Sequence, residues 1–480
     1  MLQSTASQRE ASFFDIWAFI VTVVIGGLYY GWNIGFSAGF GSYAIAQLLT
    51  ALAFVILACS LAEIVSTVSF SGGAYGMARV VLGFHAGFLI ASFEFLEYVV
   101  FLSQSAQYLG ETMAGFLDMH KSMAPVISLL FFVFCGVVVL SGDRWFWRVN
   151  GLLAVVSLLI LVAYCLGSLP YVDFAKHASF ERNTSNFMAP ENWFVGGMRA
   201  FMHVLPLTTW GFGGLESAAL LSDMTAEPRV NVPRGMIAGT LTMVCVIFAM
   251  VFIAASLHPG IRNLQSQSYL MDDGWYSMGV SLETGRWLVL PAQVAMGFGF
   301  VLPASKLLRA MVSSNLLPSL VPEEKDEQWS QRVCVVAVLV VGMMVCLWSM
   351  YQPSLHIANI PILFAQVTYL SNLFAFYKLR TDFSSREHKF RSPFGIPGAV
   401  FAACMFVLIG ASVIGFQDSY YPPLFVGSVI VVLTIYYFAY AKKHQHFSDD
   451  EQKSLLVLHV ILNNRNKKKN SKTPKHQVTS

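Results

Sequence analysis

Along most of its length the chain alternates apolar runs of roughly 20 residues with short polar interruptions. About 20 apolar residues wound as a helix cross a hydrocarbon core ~30 Å thick. Lipid offers no water to backbone groups, and a helix satisfies them within one segment, so each run is read as a helix. Twelve are predicted, over residues 14–40, 43–67, 84–117, 125–141, 149–169, 199–221, 235–257, 287–312, 333–351, 357–379, 396–416 and 421–441. The pattern predicts an all-α integral membrane protein embedded in a lipid bilayer.

Two of these runs are interrupted at what looks like the same relative place. The first reads Ile25-Gly26-Gly27-Leu28-Tyr29-Tyr30-Gly31-Trp32-Asn33, and the second Trp210-Gly211-Phe212-Gly213-Gly214-Leu215-Glu216. Unwinding at membrane depth is tolerated only where the freed N–H and C=O groups face protein, water or a ligand. Glycine also serves close helix packing, so either cluster alone fits that role equally well. A pair of interruptions in two halves of a chain points to a binding site between them.

Composition agrees: 56% of residues are hydrophobic and 12% charged, against about a quarter charged in soluble domains. Met1 to Ser12 is polar and no small-residue cleavage site follows, so the first helix is expected to be retained. All seven cysteines fall within predicted spans, which suggests neither a disulfide framework nor a metal site. A net charge of +3 is too small to imply nucleic-acid binding. The basic residues act instead as topology signals. Arg79, Arg144, Arg148, Arg229, Arg234, Lys306, Arg309, Lys378 and Arg380 fall in alternate loops on one side, with Lys442 and Lys443. The positive-inside rule then places both termini in the cytoplasm, at the plasma membrane or another membrane. The two long external loops have room for short interfacial helices, and Asn183-Thr184-Ser185 in the first is a candidate glycosylation acceptor. In the polar tail, Glu451 with Leu455 and Leu456 has the spacing of an acidic dileucine signal for trafficking adaptors, or of one amphipathic turn.

Three motifs carry a resemblance. Gly72-Gly73-Ala-Tyr75 followed by Arg79 and Gly83, then Glu227-Pro228-Arg229 with Pro233-Arg234-Gly235, then Ser305-Lys306 with Arg309-Ala310-Met311 and Leu317-Pro318, occur in this order. They resemble the loops of the amino acid-polyamine-organocation (APC) superfamily of transporters, with Ser69 standing where proline is usual. Tyr29-Tyr30-Gly31-Trp32-Asn33 with Phe93-Glu94-Phe95-Leu96-Glu97 is most similar to the ethanolamine-permease branch. That branch commonly has an acid where this chain has Leu28, so ethanolamine is an alternative not favoured over a small amino acid. The expected organisation is a cytoplasmic tail over 1–12 and a transport core over 13–379. The core holds two repeats of opposite topology, about 13–169 and 199–379, with helices 1 and 6 discontinuous. Two added helices over 396–441 and a cytoplasmic tail over 442–480 complete it.

A zwitterion in a dry site needs donors for its carboxylate and acceptors for its ammonium. A half-helix starting at the first break exposes unpaired N–H groups at a positive dipole end, so Gly26, Gly27, Leu28, Tyr29 and Gly31 are candidates to cradle a carboxylate. In the second break Trp210, Phe212, Gly213 and Gly214 are candidate substrate contacts. The resemblance implies that Trp210 or Phe212 closes as a gate and that Glu216 links helices or senses protons. Glu94 and Glu97 are three apart, hence on one helix face, and two such carboxylates would tend to keep at least one proton. All three are candidates for gating or coupling to H+. No lysine occurs between Val149 and Leu169, where some proton-coupled relatives carry one. No catalytic set, metal cluster, cofactor motif or phosphate-binding glycine loop stands out. The expected function is secondary active transport of an amino acid or small amine. The alternatives are an amine permease of the ethanolamine or polyamine type, or a non-transporting sensor on the same fold.

Overall fold

Ser12 starts the first helix. Its hydroxyl accepts from the Asp15 N–H while the Asp15 carboxylate accepts from the Ser12 N–H, a reciprocal cap that satisfies two orphan donors. The computed structural model describes residues 10–67, 73–180, 190–318, 327–352, 357–381, 389–448 and 452. Asn183, the Glu451 to Leu456 signal and most of the C-terminal tail lie outside them, as do the loop positions Ser69 and Gly72.

Helix α1 runs Phe13–Ile25 and is followed by a tight turn at Gly26–Leu28. The chain then bends by 54° into Trp32–Ala38, wound as a 3-10 helix. Next come α2 (Phe40–Thr67), the short α3 (Gly73–Leu82), α4 (Phe84–Phe116), α5 (Ala124–Leu140) and α6 (Asp143–Ser168). The second broken segment consists of α7 (Gly197–Val204), a 3-10 turn over Leu205–Thr209, an unwound stretch, and a 3-10 helix of 10 residues, Leu215–Met224. After it stand α8 (Pro228–Ala255), α9 (Leu290–Ser313), α10 (Glu327–Tyr351), α11 (Asn359–Thr381), α12 (Gly395–Gly415) and α13 (Tyr421–Tyr436). Apart from one isolated bridge between Ala11 and Thr225, the described residues form no strand pairing.

Among the described residues ten continuous helices are long and apolar enough to cross a membrane, and the bent pair Phe13–Leu28 with Trp32–Ala38 makes up to eleven. The twelfth predicted span, 199–221, is no continuous helix, because it is the broken segment itself. Runs of 3-10 helix longer than a turn are uncommon and mark hinges or strain; here each forms the second half of a break. Several boundaries differ from the sequence expectation, α10 for one starting at Glu327 instead of 333. Helix α8 starts seven residues early because Pro228 is well suited to a first helical turn. Helix α6 reaches back to Asp143, and α3 lies where a loop was expected. The two long loops, after α6 and after α8, carry the expected short helices, among them Phe174–His177 and Asp272–Ser277.

The packing has an internal pattern. Helix α1 lies against α8 and α6, while the broken segment 197–224 lies against α2 and α11; α4 lies against α9, α11 and α5, while α9 also lies against α6 and α10. The described stretches nearest the two termini, at Ala11 and His446, reach one end of the bundle. The Ala11 N–H donates to the Met224 carbonyl, and the His446 N–H donates to that of Ser314. Nearby, Lys306 holds Asp223 at 2.6 Å.

Candidate functional site

The two breaks touch. A Cβ built on Gly27 would overlap the backbone carbonyl of Trp210, so only glycine lets these two main chains meet. Gly26 is tight against Met296 of α9 in the same way. Gly214 adopts φ 93°, a left-handed conformation that restarts the chain as the Leu215–Met224 helix, and its N–H donates to the Tyr369 hydroxyl at 3.4 Å. One freed carbonyl of the first break, that of Leu28, accepts from the Trp32 indole at 2.8 Å.

Around this crossing lies a cavity. Gly26, Gly27, Trp210 and Gly213 line it, together with Tyr30, Gln104, Tyr108, Met296, Gln366 and Tyr369. Several buried polar atoms of these lining residues have no hydrogen-bond partner among the described residues: the Tyr30 hydroxyl, the Trp210 indole N–H, and both amide atoms of Gln366. Buried polar groups are ordinarily satisfied. Four of the unsatisfied atoms thus belong to residues lining this one cavity, where a polar ligand could complete them.

The other predicted contacts lie elsewhere. Gly31 faces the Trp210 ring, and Leu28 is buried beside Gly211 between the breaks. Tyr29 turns away, donating its hydroxyl to the Ser157 carbonyl at 3.0 Å. Phe212 stacks on Phe54 at 5.0 Å and is 1% exposed, so of the two gate candidates only Trp210 borders the cavity.

Next to the cavity the three predicted carboxylates come together. Glu94, Glu97 and Glu216 are buried and within electrostatic reach of one another. The Tyr98 hydroxyl donates to Glu94 at 2.8 Å and that of Tyr369 to Glu97 at 3.4 Å. The Glu216 carboxylate makes no hydrogen bond of good geometry, with the Tyr98 and Tyr369 hydroxyls as its polar neighbours. No basic side chain among the described residues acts on the cluster. Three negative charges in a dry interior without a counter-cation would be costly. Tyr369 is the link, because it lines the cavity and bonds both Glu97 and Gly214.

Beyond the Tyr30 and Tyr108 rings, stacked at 5.1 Å, a second, smaller pocket opens. Tyr30 borders both spaces. The loop over this outer pocket is tied to the first break: Asn33 donates to the carbonyls of Leu264 (2.7 Å) and Gln267 (2.8 Å). Gln267 in turn donates to Asp273, whose carboxyl is held above its ordinary range by burial.

Sequence reasoning missed Gln366 and Tyr369, although the signal was there. An amide inside Ile362-Leu-Phe-Ala-Gln366-Val-Thr-Tyr369 is a polar group at membrane depth, the same argument that selected Glu216. Tyr369, three residues on, shares its face.

A bundle of membrane-length helices wrapped around two touching backbone breaks has the build of a multi-pass membrane transporter. The chain belongs to the amino acid permease family, whose sequence model matches residues 12–440. It is 24% identical over 321 residues to an uncharacterised transporter of Rhizobium meliloti (strain 1021), covering 63% of this chain and 65% of that protein. It is 22% identical over 293 residues to the branched-chain amino acid permease BcaP of Lactococcus lactis subsp. cremoris (strain MG1363), covering 57% and 61%. To the methylthioribose transporter of Bacillus subtilis (strain 168) it is 23% identical over 279 residues, covering 54% and 57%. The chain thus spans about three-fifths of the length of these curated relatives.

Proposed function

We propose that this protein is a secondary active transporter that moves an amino acid or small amine by alternating access, with both termini cytoplasmic. The observation that carries the reading is the contact between Gly27 and the Trp210 carbonyl beside a cavity where Tyr30, Trp210 and Gln366 have polar atoms without partners. A zwitterion fits it: the restarted half-helix offers N–H groups to a carboxylate, and the carbonyls of the second break can accept from an ammonium. Trp210 supplies a ring that closes over the solute and attracts an ammonium by about 0.5–2 kcal/mol.

The packing pattern supports two repeats. Exchanging α1 with the broken segment, α2 with α8, α4 with α9, α5 with α10 and α6 with α11 turns the pairing of α1 with α8 into that of the broken segment with α2. The same exchange turns α1 with α6 into the broken segment with α11, and α4 with α11 into α9 with α6. The carboxylate cluster fits coupling to protons, with Tyr369 relaying the state of Glu97 to the cavity wall.

Two substitutions test the assignment. Trp210→Ala removes the ring at the cavity and Glu216→Gln removes one charge from the cluster with little change of shape. Each is expected to lower uptake at least about tenfold, roughly the effect of losing 1.4 kcal/mol, with normal amounts of protein at the membrane. Wild-type uptake by both variants would refute the site.

A further inference from the structure

Within the cavity one wall stands apart in chemistry. Ala358, Ile362, Ala365, Gln366 and Tyr369 border it from α11 and the residue before it, at the spacing of a single helix stripe. Gln366 therefore occupies a face directed at the cavity. It is 4% exposed, and neither its amide N–H₂ nor its amide oxygen has a partner among the described residues. The stem is set beside Gly410 of α12. Across the cavity, Phe101, Gln104 and Tyr108 form the corresponding stripe of α4, so a second amide faces the same space. The rest of the lining is glycine, aromatic ring, Thr209 and Met296.

We propose that Gln366 determines specificity, and that the solute carries, besides its amine, an uncharged polar group that both donates and accepts hydrogen bonds: a hydroxyl or a primary amide. This rests on the reading of the cavity as the substrate site. A glutamine amide presents one donor end and one acceptor end, and a hydroxyl or amide answers both. A charged side chain answers only one, and a methyl group answers neither. The consequence is asymmetric. A site built to hydrogen-bond a ligand group rejects the analogue lacking it by as much as ~10⁴-fold, whereas an apolar pocket rejects an added hydroxyl by only ~10²-fold.

Isosteric pairs test this in proteoliposomes containing the purified full-length protein, by competition for uptake: threonine against valine, asparagine against leucine, and ethanolamine against propylamine. In the wild type the polar member of each transported pair is expected to compete at least about tenfold better. Gln366→Leu is expected to bring that ratio to about one or below, through a raised KM for the polar member with maximal rate largely kept. Its melting temperature should not fall, since two unpaired polar atoms are removed; Gln366→Met serves as a second variant of similar volume. Equal competition by both members in the wild type, or discrimination unchanged in a folded Gln366→Leu protein, would overturn the inference and leave the transporter reading standing. Failure to move any of the six solutes, or any other amino acid or amine, would overturn that reading as well.

Discussion

Gly27→Ala is expected to abolish uptake, by at least about 100-fold. The added methyl would sit on the carbonyl of Trp210, which is backbone and has no rotamer to escape into. Overpacking a well-filled interior commonly costs about 1–3 kcal/mol, and more where the neighbour cannot move; 2.7 kcal/mol corresponds to roughly 100-fold. The breaks must separate or shift, and both halves of the site shift with them. Gly115→Ala is the matched control, because a methyl at the outer end of α4 meets nothing within 4 Å. It should transport as the wild type does. Uptake per amount of folded protein, measured by size-exclusion chromatography in detergent, compares the two. Comparable uptake by Gly27→Ala would mean that the breaks do not need to touch.

The largest expected effect on stability lies at the end of the bundle that holds Ala11 and His446. Glu63 of α2 is fully buried and accepts from Arg380 of α11 in bidentate fashion, at 2.9 and 2.6 Å, and from the Ser392 N–H at 2.6 Å. Arg380 also donates to the Ser392 carbonyl and lies over the Phe376 ring. Removing one partner of such a pair leaves the other charge stranded, at a cost of about 3–5 kcal/mol. Glu63→Ala should therefore lower the melting temperature in detergent markedly, whereas Glu63→Leu combined with Arg380→Leu should recover most of the loss. A melting temperature unchanged by Glu63→Ala would show that the pair does not hold α2 to α11.

Much of this was legible in the sequence, because the bilayer makes two signals strong. Apolar length marks helices, and the exceptions to apolarity mark chemistry. Both breaks and the three carboxylates were found in that way. What sequence did not provide was phase and distance. Between Trp210 and Gly214 the chain has no helical period, so nothing in the pattern says that Trp210 turns to the cavity while Phe212 turns to Phe54. Tyr29 was assigned to the solute because it sits in the break, yet its hydroxyl is captured by the Ser157 carbonyl of α6, a partner 128 residues away. Glu94 and Glu97 share a face by spacing alone. That Glu216 joins them depends on how α4 packs beside the broken segment, which spacing does not encode. Gln366 was overlooked because attention to charge passed over an uncharged amide, although burial makes its two unpaired atoms as informative as a carboxylate.

A solute bound at the crossing of the two breaks and carried across the membrane should be visible as flux. The most direct measurement is flux of a radiolabelled amino acid or amine into proteoliposomes, using the solute that most stabilises the purified protein in a thermal-shift panel, with and without a pH gradient. The account predicts saturable uptake that Trp210→Ala lowers at least about tenfold. A solute that stabilises the protein yet is neither taken up nor exchanged would contradict it, and would make the protein a sensor built on a transporter fold.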